Sequence, residues 1–411
     1  MDIEKGKGTS GKPYWRVRWR PDGAVGRRES RTFHRESDAK AFAADIELRK
    51  RLGHLAGIDS GKITLDRYMA ETWVPVYGAD LAESTRGTYR VLYVKHIGPY
   101  LGRVPLRDLT PQLLARWQAE RLREGAGPTS VRKSLALLGT VLQTATEGEH
   151  IAGNPVRAVR KARQPQKDEV RPLAPVTVEA MRAAARTPAP TEVAASKSGA
   201  RKRKAYTVDP PGSPHTRHRD ATLVSVLAYS GMRPQEALAL TWGDVRERTI
   251  LVERAVSGGK IKSTKTRKAR AVRLLAPLAA DLREFKLASG RPAQSRLVFP
   301  GPTGGPWTKT TWDNWRGRTF SRLLAAVEIE QGRPYDLRHS FASLLLHEGR
   351  SVHYVAKQLG HGPRLTLDTY GHVIAELEDV PRLAAVDAIL QARDGSSAQS
   401  PGRPGLTVSS S

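Results

Sequence analysis

A tyrosine stands at position 370 in "LGHGPRLTLDTYGHV" (Leu359–Val373), nine residues after His361, and neither ring falls on an apolar stripe. A free phenol ionises near pH ~10, so at neutral pH it needs a cation or an imidazole nearby to act as a nucleophile. The sequence offers both. In "YSGMRPQEALALTW" (Tyr229–Trp242), Gly231 suits the end of one helix and Pro234 the first position of the next. Arg233 then sits at a helix N-terminus, where free N–H groups favour an anion, and Glu236 lies one turn in to steer its guanidinium. In "RPYDLRHSFASLLLHEG" (Arg333–Gly349), Asp336 is placed to cap a helix striped by Phe341, Leu344 and Leu345 and stopped by Gly349. Arg338 therefore also falls in a first turn. Two such guanidiniums can together chelate the non-bridging oxygens of one phosphodiester, because their planar forks match phosphate and never lose charge.

The elements around these residues follow from local rules. Ser351 can cap a helix bearing Val352, Val355, Ala356 and Leu359, and Gly360 fits its left-handed stop, so His361 projects from a tight turn. A second helix near Leu365–Thr369 would bring Tyr370 towards it. Between the arginines, "TILVERAV", "GGKIKSTK" and "RKARAVRLL" read as successive strands of a small antiparallel sheet, with Lys265 at or beside the last turn and Lys260, Lys262 and Lys268 close by.

The bulk numbers narrow the partner. The chain has 411 residues, enough for two to four domains, and 68 Lys and Arg against 41 Asp and Glu give a net charge of +27. Such an excess points to a polyanion. No apolar run approaches the ~18 residues of a spanning helix, and the start resembles no secretory signal, so a cytoplasmic location without membrane attachment is expected. With no cysteine, disulfides, thiolate metal sites and cysteine nucleophiles are excluded.

Upstream, "YWRVRWR" (Tyr14–Arg20) alternates: Trp15, Val17 and Trp19 share one strand face, and Arg16, Arg18 and Arg20 share the other, a candidate DNA-facing surface. A turn at Asp22-Gly23, a second strand in Arg27–Phe33, and a helix capped by Ser37 with Ala41, Phe42, Ala44 and Ile46 as its apolar side complete a small α+β module, residues 1–58. Four helical patterns follow in 62–153. Thr64, Ser84 and Thr110 are candidate caps, Val91, Leu92 and Val94 mark the second helix, and Val131, Leu135, Leu138 and Leu142 form the stripe of the fourth. Residues 154–172 read as a basic linker whose Arg157, Arg160 and Lys161 are candidate DNA contacts. Residues 173–392 are long enough for their own core, with 196–218 as an inserted basic loop and 393–411 as a disordered tail.

Taken together, "SGMRPQEAL", "STKTRKARAVRL", "YDLRHSFASLLLHEG" and "LGHGPRLTLDTYGH" resemble, in order and spacing, the signature boxes of the tyrosine recombinases, or phage integrases. The bundle resembles that family's core-binding domain, and the N-terminal module its arm-type DNA-binding domain. The resemblance implies a multidomain protein: an α+β arm module, an all-α core-binding bundle, and a mainly α catalytic domain with a small antiparallel sheet, the DNA breaking-rejoining enzyme fold. It implies that Tyr370 is the nucleophile forming a 3′-phosphotyrosyl bond and that Arg233 and Arg338 clamp the scissile phosphate. Lys265 matches the general acid, His361 the histidine nine residues before the nucleophile, and Glu236 the support of the first arginine. Tyr335 departs from the pattern, standing where the family carries histidine or lysine; a phenol donates a hydrogen bond but gains no positive charge easily. His339, next to Arg338, is set aside because it breaks the three-residue offset to that arginine.

The implied partners are double-stranded DNA at core and arm sites, a homotetramer on DNA, and accessory DNA-bending and directionality proteins; no cofactor or metal is called for. Leu383, Val386 and Leu390 in Asp379–Leu390 share a helical face that the resemblance assigns to a neighbouring subunit. Two other readings share the boxes: a type IB topoisomerase-like relaxing enzyme, and a non-catalytic DNA-binding relative.

Overall fold

A computed structural model describes residues 2–7, 12–20, 29–51, 60–164, 170, 172–187, 191–193, 206–208, 212–263, 269–376 and 381–398. Lys265, the Asp22-Gly23 turn, much of the expected basic loop at 196–218 and the end of the tail lie outside them. The chain divides into two compact units, Met1–Lys167 and Asp168–Ser411.

The first unit holds two separate apolar cores. The smaller belongs to a three-stranded antiparallel sheet, Asp2–Lys7, Pro13–Trp19 and Glu29–Phe33, carrying helix Glu36–Arg51. Strand Asp2–Lys7 escapes sequence reading because it has almost no apolar residues; it pairs along the sheet edge, with Glu4 opposite Arg16. The alternation in Tyr14–Arg20 is as expected: Val17 and Trp19 are buried, and the arginines face away from them. Arg18 is not a bare cation, since it pairs with Glu4 at 2.8 Å. The helix begins at Glu36, so Ser37 lies inside it; its buried side is Ala39, Ala43 and Ile46 with Phe42 packed beside them, so the expected Phe42 and Ile46 take part while Ala41 and Ala44 are exposed.

The larger core is a helical bundle. Thr64 caps Leu65–Tyr68 through Arg67 N–H, and Thr110 caps Pro111–Arg123 through Leu113 N–H. Helix Glu83–Leu92 starts at Ala82 without a side-chain cap, so Ser84 falls within it. Of its expected apolar residues only Leu92 is buried, while Val91 and Val94 face out. Leu65–Tyr68 runs on into a wider π-wound stretch, Met69–Tyr77, that contains Pro75; proline has no N–H and collides with the carbonyl one turn back, and wider winding relieves both. The stripe Val131, Leu135, Leu138 and Leu142 is buried along Pro128–Glu147. The expected linker is pinned to this bundle at its start. The Gln118 amide donates to Arg160 O at 2.9 Å and accepts from Ala162 N at 3.0 Å, and Val159 and Ala162 are buried.

The second unit is built around helix Pro214–Tyr229, buried on nearly all sides from Asp220 to Tyr229. A helix apolar all round belongs at a centre rather than a surface. Its start at Pro214 also shortens the expected loop, and strands Thr191–Val193 and Tyr206–Val208 pair across the insertion. The expected single sheet is instead two pairs: Thr249–Val252 with Arg270–Arg273, and the hairpin Arg254–Ser257 with Lys260–Ser263. Glu253 interrupts the run that looked like one strand. The C-terminal segment folds as helix Ala385–Ala398, past the expected tail boundary at 393. It packs on its own chain: Ala385, Ile389 and Ala392 are buried, Leu390 points out, and Arg393 pairs with Asp281 at 2.7 Å and Glu179 at 3.2 Å. The face that serves this chain's own core is thus Ala385, Ile389 and Ala392, whereas of the residues expected to dock on a neighbouring subunit Leu383 and Val386 are half-buried and Leu390 is exposed.

Gly231 is the tightest turn in this unit. Its φ is +62°, and a Cβ would lie 2.4 Å from the Phe341 ring and 2.9 Å from Leu359. Gly231→Ala is expected to lower unfolding free energy by about 2–4 kcal/mol from left-handed strain and overpacking. Gly317→Ala, where a Cβ meets nothing within 4 Å, serves as the control in the same urea titration.

Candidate active site

Arg233 occupies the N-cap of the short helix Pro234–Ala237, with extended backbone. Glu236 holds it twice, accepting from its backbone N–H and from Nη1, both at 2.8 Å. The same carboxylate accepts from Arg270 Nη1 at 3.1 Å and Nη2 at 2.7 Å. Burial acts to raise the Glu236 pKa, but Arg270 and Arg233 outweigh it and hold the carboxyl below its ordinary value. Arg270 also donates through Nε to Gln358 O at 3.1 Å, tying the strand to the end of helix Val352–Leu359.

Arg338, in helix Asp336–His347, is 1% exposed. Its guanidinium donates to Gly231 O at 2.6 Å and to Leu359 O at 2.5 Å, the carbonyls at the ends of two other helices. Burial, with Arg233 next, pushes its pKa down to about 10, so it remains a cation at neutral pH. Asp336 is the first helical residue rather than the cap; it accepts from Arg333 N–H at 2.7 Å, and Tyr335 holds the cap position. The Tyr335 ring lies 5.9 Å from the Arg338 guanidinium.

Ser351 caps Val352–Leu359, and Gly360 ends it with φ +70° and ψ +49°. His361 Nδ1 then faces Gly362 O at 3.2 Å and Thr366 Oγ1 at 3.4 Å. A carbonyl can only accept, so Nδ1 carries the proton and Nε2 is the basic nitrogen of the neutral ring. Burial and the cations Arg338, Arg233 and Arg270 depress its pKa, against a raising contribution from the Gly362 carbonyl. Tyr370, on helix Pro363–Glu376, is buried at 2% exposure, where the sequence suggested a projecting ring. Its hydroxyl is 2.6 Å from His339 Nδ1. Burial raises the phenol pKa, and the charge of Arg338 pulls it back.

The structure thus gathers Arg233, Glu236, Tyr335, Arg338, His361 and Tyr370. Lys265 lies outside the described residues, between strands Lys260–Ser263 and Arg270–Arg273. Arg16, Arg18, Arg20, Arg157, Arg160 and Lys161 belong to the other unit. Two residues were missed. Arg270 shares a strand face with fully buried Val272, an alternation that puts a cation toward the interior. His339 was set aside on register. Three guanidiniums against one carboxylate leave the cluster cationic, and its unmet charge calls for an anion.

Residues 210–376 match the phage integrase family, and residues 67–121 match its N-terminal SAM-like domain; together these take in more than half of the chain. The chain belongs to the phage integrase family. It is similar to the tyrosine recombinase XerD of Vibrio vulnificus (strain YJ016), 30% identical over 166 residues, which is 38% of this chain and 50% of that protein. The alignment therefore spans about half the length of that relative. The tyrosine recombinase XerD of Yersinia pestis is 24% identical over 76% of this chain and 93% of its own. In fold, the Tn1549 transposon integrase in complex with transposon right end DNA superposes with a TM-score of 0.58 at 17% identity, over 77% of this chain and 99% of its own. A lambda integrase tetramer bound to a Holliday junction gives 0.53 at 17% identity, over 88% and 96%.

Arg270→Gln removes two charge-assisted bonds from a buried carboxylate and is expected to cost about 3 kcal/mol in chemical denaturation. Since the Glu236 pKa is lowered in the folded state, its stabilisation is full above the ordinary carboxyl value of 4.5 and is lost as pH falls through the folded value. Wild-type stability should accordingly fall more steeply below about pH 4.5 than that of Glu236→Gln.

Proposed function

We propose that this chain is a site-specific DNA recombinase that cuts and rejoins double-stranded DNA through a 3′-phosphotyrosyl bond at Tyr370. The observation that carries the reading is the cluster itself: Arg233, Arg270 and Arg338 around Glu236, with His361 in the next turn and Tyr370 in the helix after it. Arg233 and Arg338 clamp the phosphate. As the Tyr370 Oη–P bond forms, the P–O5′ bond breaks, and the 5′-oxygen leaves with a proton supplied by Lys265. Negative charge on the equatorial oxygens meets cations already in place, so little reorganisation is needed. The diester is conserved in the enzyme–DNA link, and a second 5′-hydroxyl can reseal it. Tyr335 orients a phosphate oxygen by hydrogen bonding.

Units 1–58, 62–153 and 173–392 serve as arm-binding, core-binding and catalytic parts. The strand face of Arg16, Arg18 and Arg20 contacts arm DNA, and Arg157, Arg160 and Lys161 contact the core site. Among the described residues no helix is long and apolar enough to cross a membrane. The protein acts in the cytoplasm as a homotetramer on DNA, with accessory bending and directionality proteins, to integrate or excise a mobile element. The solved lambda integrase tetramer on a Holliday junction supports that assembly by likeness of fold.

Nicked duplexes tiling the DNA that flanks the reading frame test the reading, because a nick beside the cut lets the short fragment bearing the freed 5′-hydroxyl diffuse away and traps the covalent adduct. A shifted adduct band is expected with wild type and none with Tyr370→Phe; an adduct that survives in Tyr370→Phe sinks the reading. Tyr335→Phe should slow adduct formation by about tenfold through loss of one hydrogen bond to phosphate, and an unchanged rate removes its role.

A further inference from the structure

His339 is the group in direct contact with the candidate nucleophile. Its Nδ1 lies 2.6 Å from Tyr370 Oη, short for a nitrogen–oxygen hydrogen bond. The ring stands between two phenols, with centroids 5.4 Å from Tyr335 and 5.6 Å from Tyr370. It follows Arg338 directly on helix Asp336–His347, so one helical turn carries both a phosphate-facing cation and the phenol's partner. His361 is differently engaged, its Nδ1 facing Gly362 O and Thr366.

We propose that His339 is the general base for Tyr370: its Nδ1 accepts the phenolic proton as the tyrosine attacks phosphorus. This rests on the reading of Tyr370 as the nucleophile. In cleavage the Oη–H bond breaks, the Oη–P bond forms, the proton passes to Nδ1, and the P–O5′ bond breaks with the 5′-oxygen protonated by the general acid. In rejoining the imidazolium returns the proton to the departing phenolate. The neutral Nε2–H tautomer is the one in which Nδ1 can accept. The need is physical: burial raises the phenol pKa, so Tyr370 does not ionise unaided at neutral pH. An imidazole within hydrogen-bond reach of the proton it removes meets the geometric condition for such a base.

The test uses the full chain and the trapped nicked duplex from the flanking DNA, with non-covalent DNA retention measured beside adduct formation. His339→Leu should slow adduct formation by about 10²-fold or more while retaining DNA as wild type does. His339→Asn keeps an acceptor near the Nδ1 position but takes no proton, so it should be similarly slow. Trifluorotyrosine at position 370, an easily ionised phenol, should restore about tenfold or more to both variants and much less to wild type. A purely structural histidine gives no such rescue. An active His339→Leu within about threefold of wild type, an Asn variant at full rate, or no rescue by the fluorinated phenol each overturns the proposal. An adduct that persists in Tyr370→Phe instead overturns the reading of the nucleophile, so the two failures are distinct.

Discussion

The buried guanidinium of Arg338 is the interaction on which the site's geometry depends. Gly231 O and Leu359 O terminate two helices whose following turns carry Arg233 and His361. Leu359 O is a helix-end acceptor without an intrahelical partner, Gly231 O lies in the turn two residues past the end of another helix, and one side chain from a third helix satisfies both. That single group fixes the separation of the two turns and adds a positive charge at the point where they meet. Replacing Arg338 by a short apolar residue would therefore leave two buried carbonyls short of a donor, at about 1–3 kcal/mol each, and, under the proposed function, remove a phosphate ligand. Activity and stability are joined at this residue. Glu236 is the second junction, since it holds Arg233 directly and, through Arg270, reaches Gln358 in the same helix end that Arg338 grips.

This arrangement is electrostatically unfavourable without substrate. Burial and then the like charge of Arg233 lower the Arg338 pKa, and one carboxylate cannot neutralise three guanidiniums. Such a cluster is tolerated because packing over-determines it: the central helix from Asp220 to Tyr229, Phe341 and Leu345 are all fully or nearly fully buried around it. Under the proposed function, a bound phosphodiester would supply the counter-charge that the cluster lacks.

Local backbone chemistry explains what could be read in advance. Arg233 beside Pro234, Thr64, Thr110 and Ser351 at caps, and the left-handed Gly360 are each dictated by a few adjacent residues, and each stands where the sequence indicated. What escaped was non-local. The pairing of Thr249–Val252 with Arg270–Arg273, rather than of neighbouring runs, is decided by which strand meets the helical core. Arg270 meets Gln358 across 88 positions and Glu236 across 34, distances at which no pattern in one segment speaks. The Tyr370 ring looked free because its helix lacks an apolar stripe around it, yet it is buried against side chains from Asp336–His347. Ser37 and Ser84 show the opposite error: a cap residue type one place inside a helix satisfies the sequence rule without doing the work.

The depressed pKa of His361 bears on how the proposed substrate would act on the imidazole. Burial lowers it, and Arg338, Arg233 and Arg270 add to the effect, so the ring is neutral at pH 7 with DNA absent. Under the proposed function, a phosphodiester seated between Arg233 and Arg338 would bring a negative charge that offsets those cations. The repulsion on a His361 proton would then weaken, and the ring's proton affinity would rise. By linkage the coupling runs both ways: a protonated His361 favours the bound phosphate to the same extent. The desolvation that makes the empty cluster costly also makes its response to one added charge large.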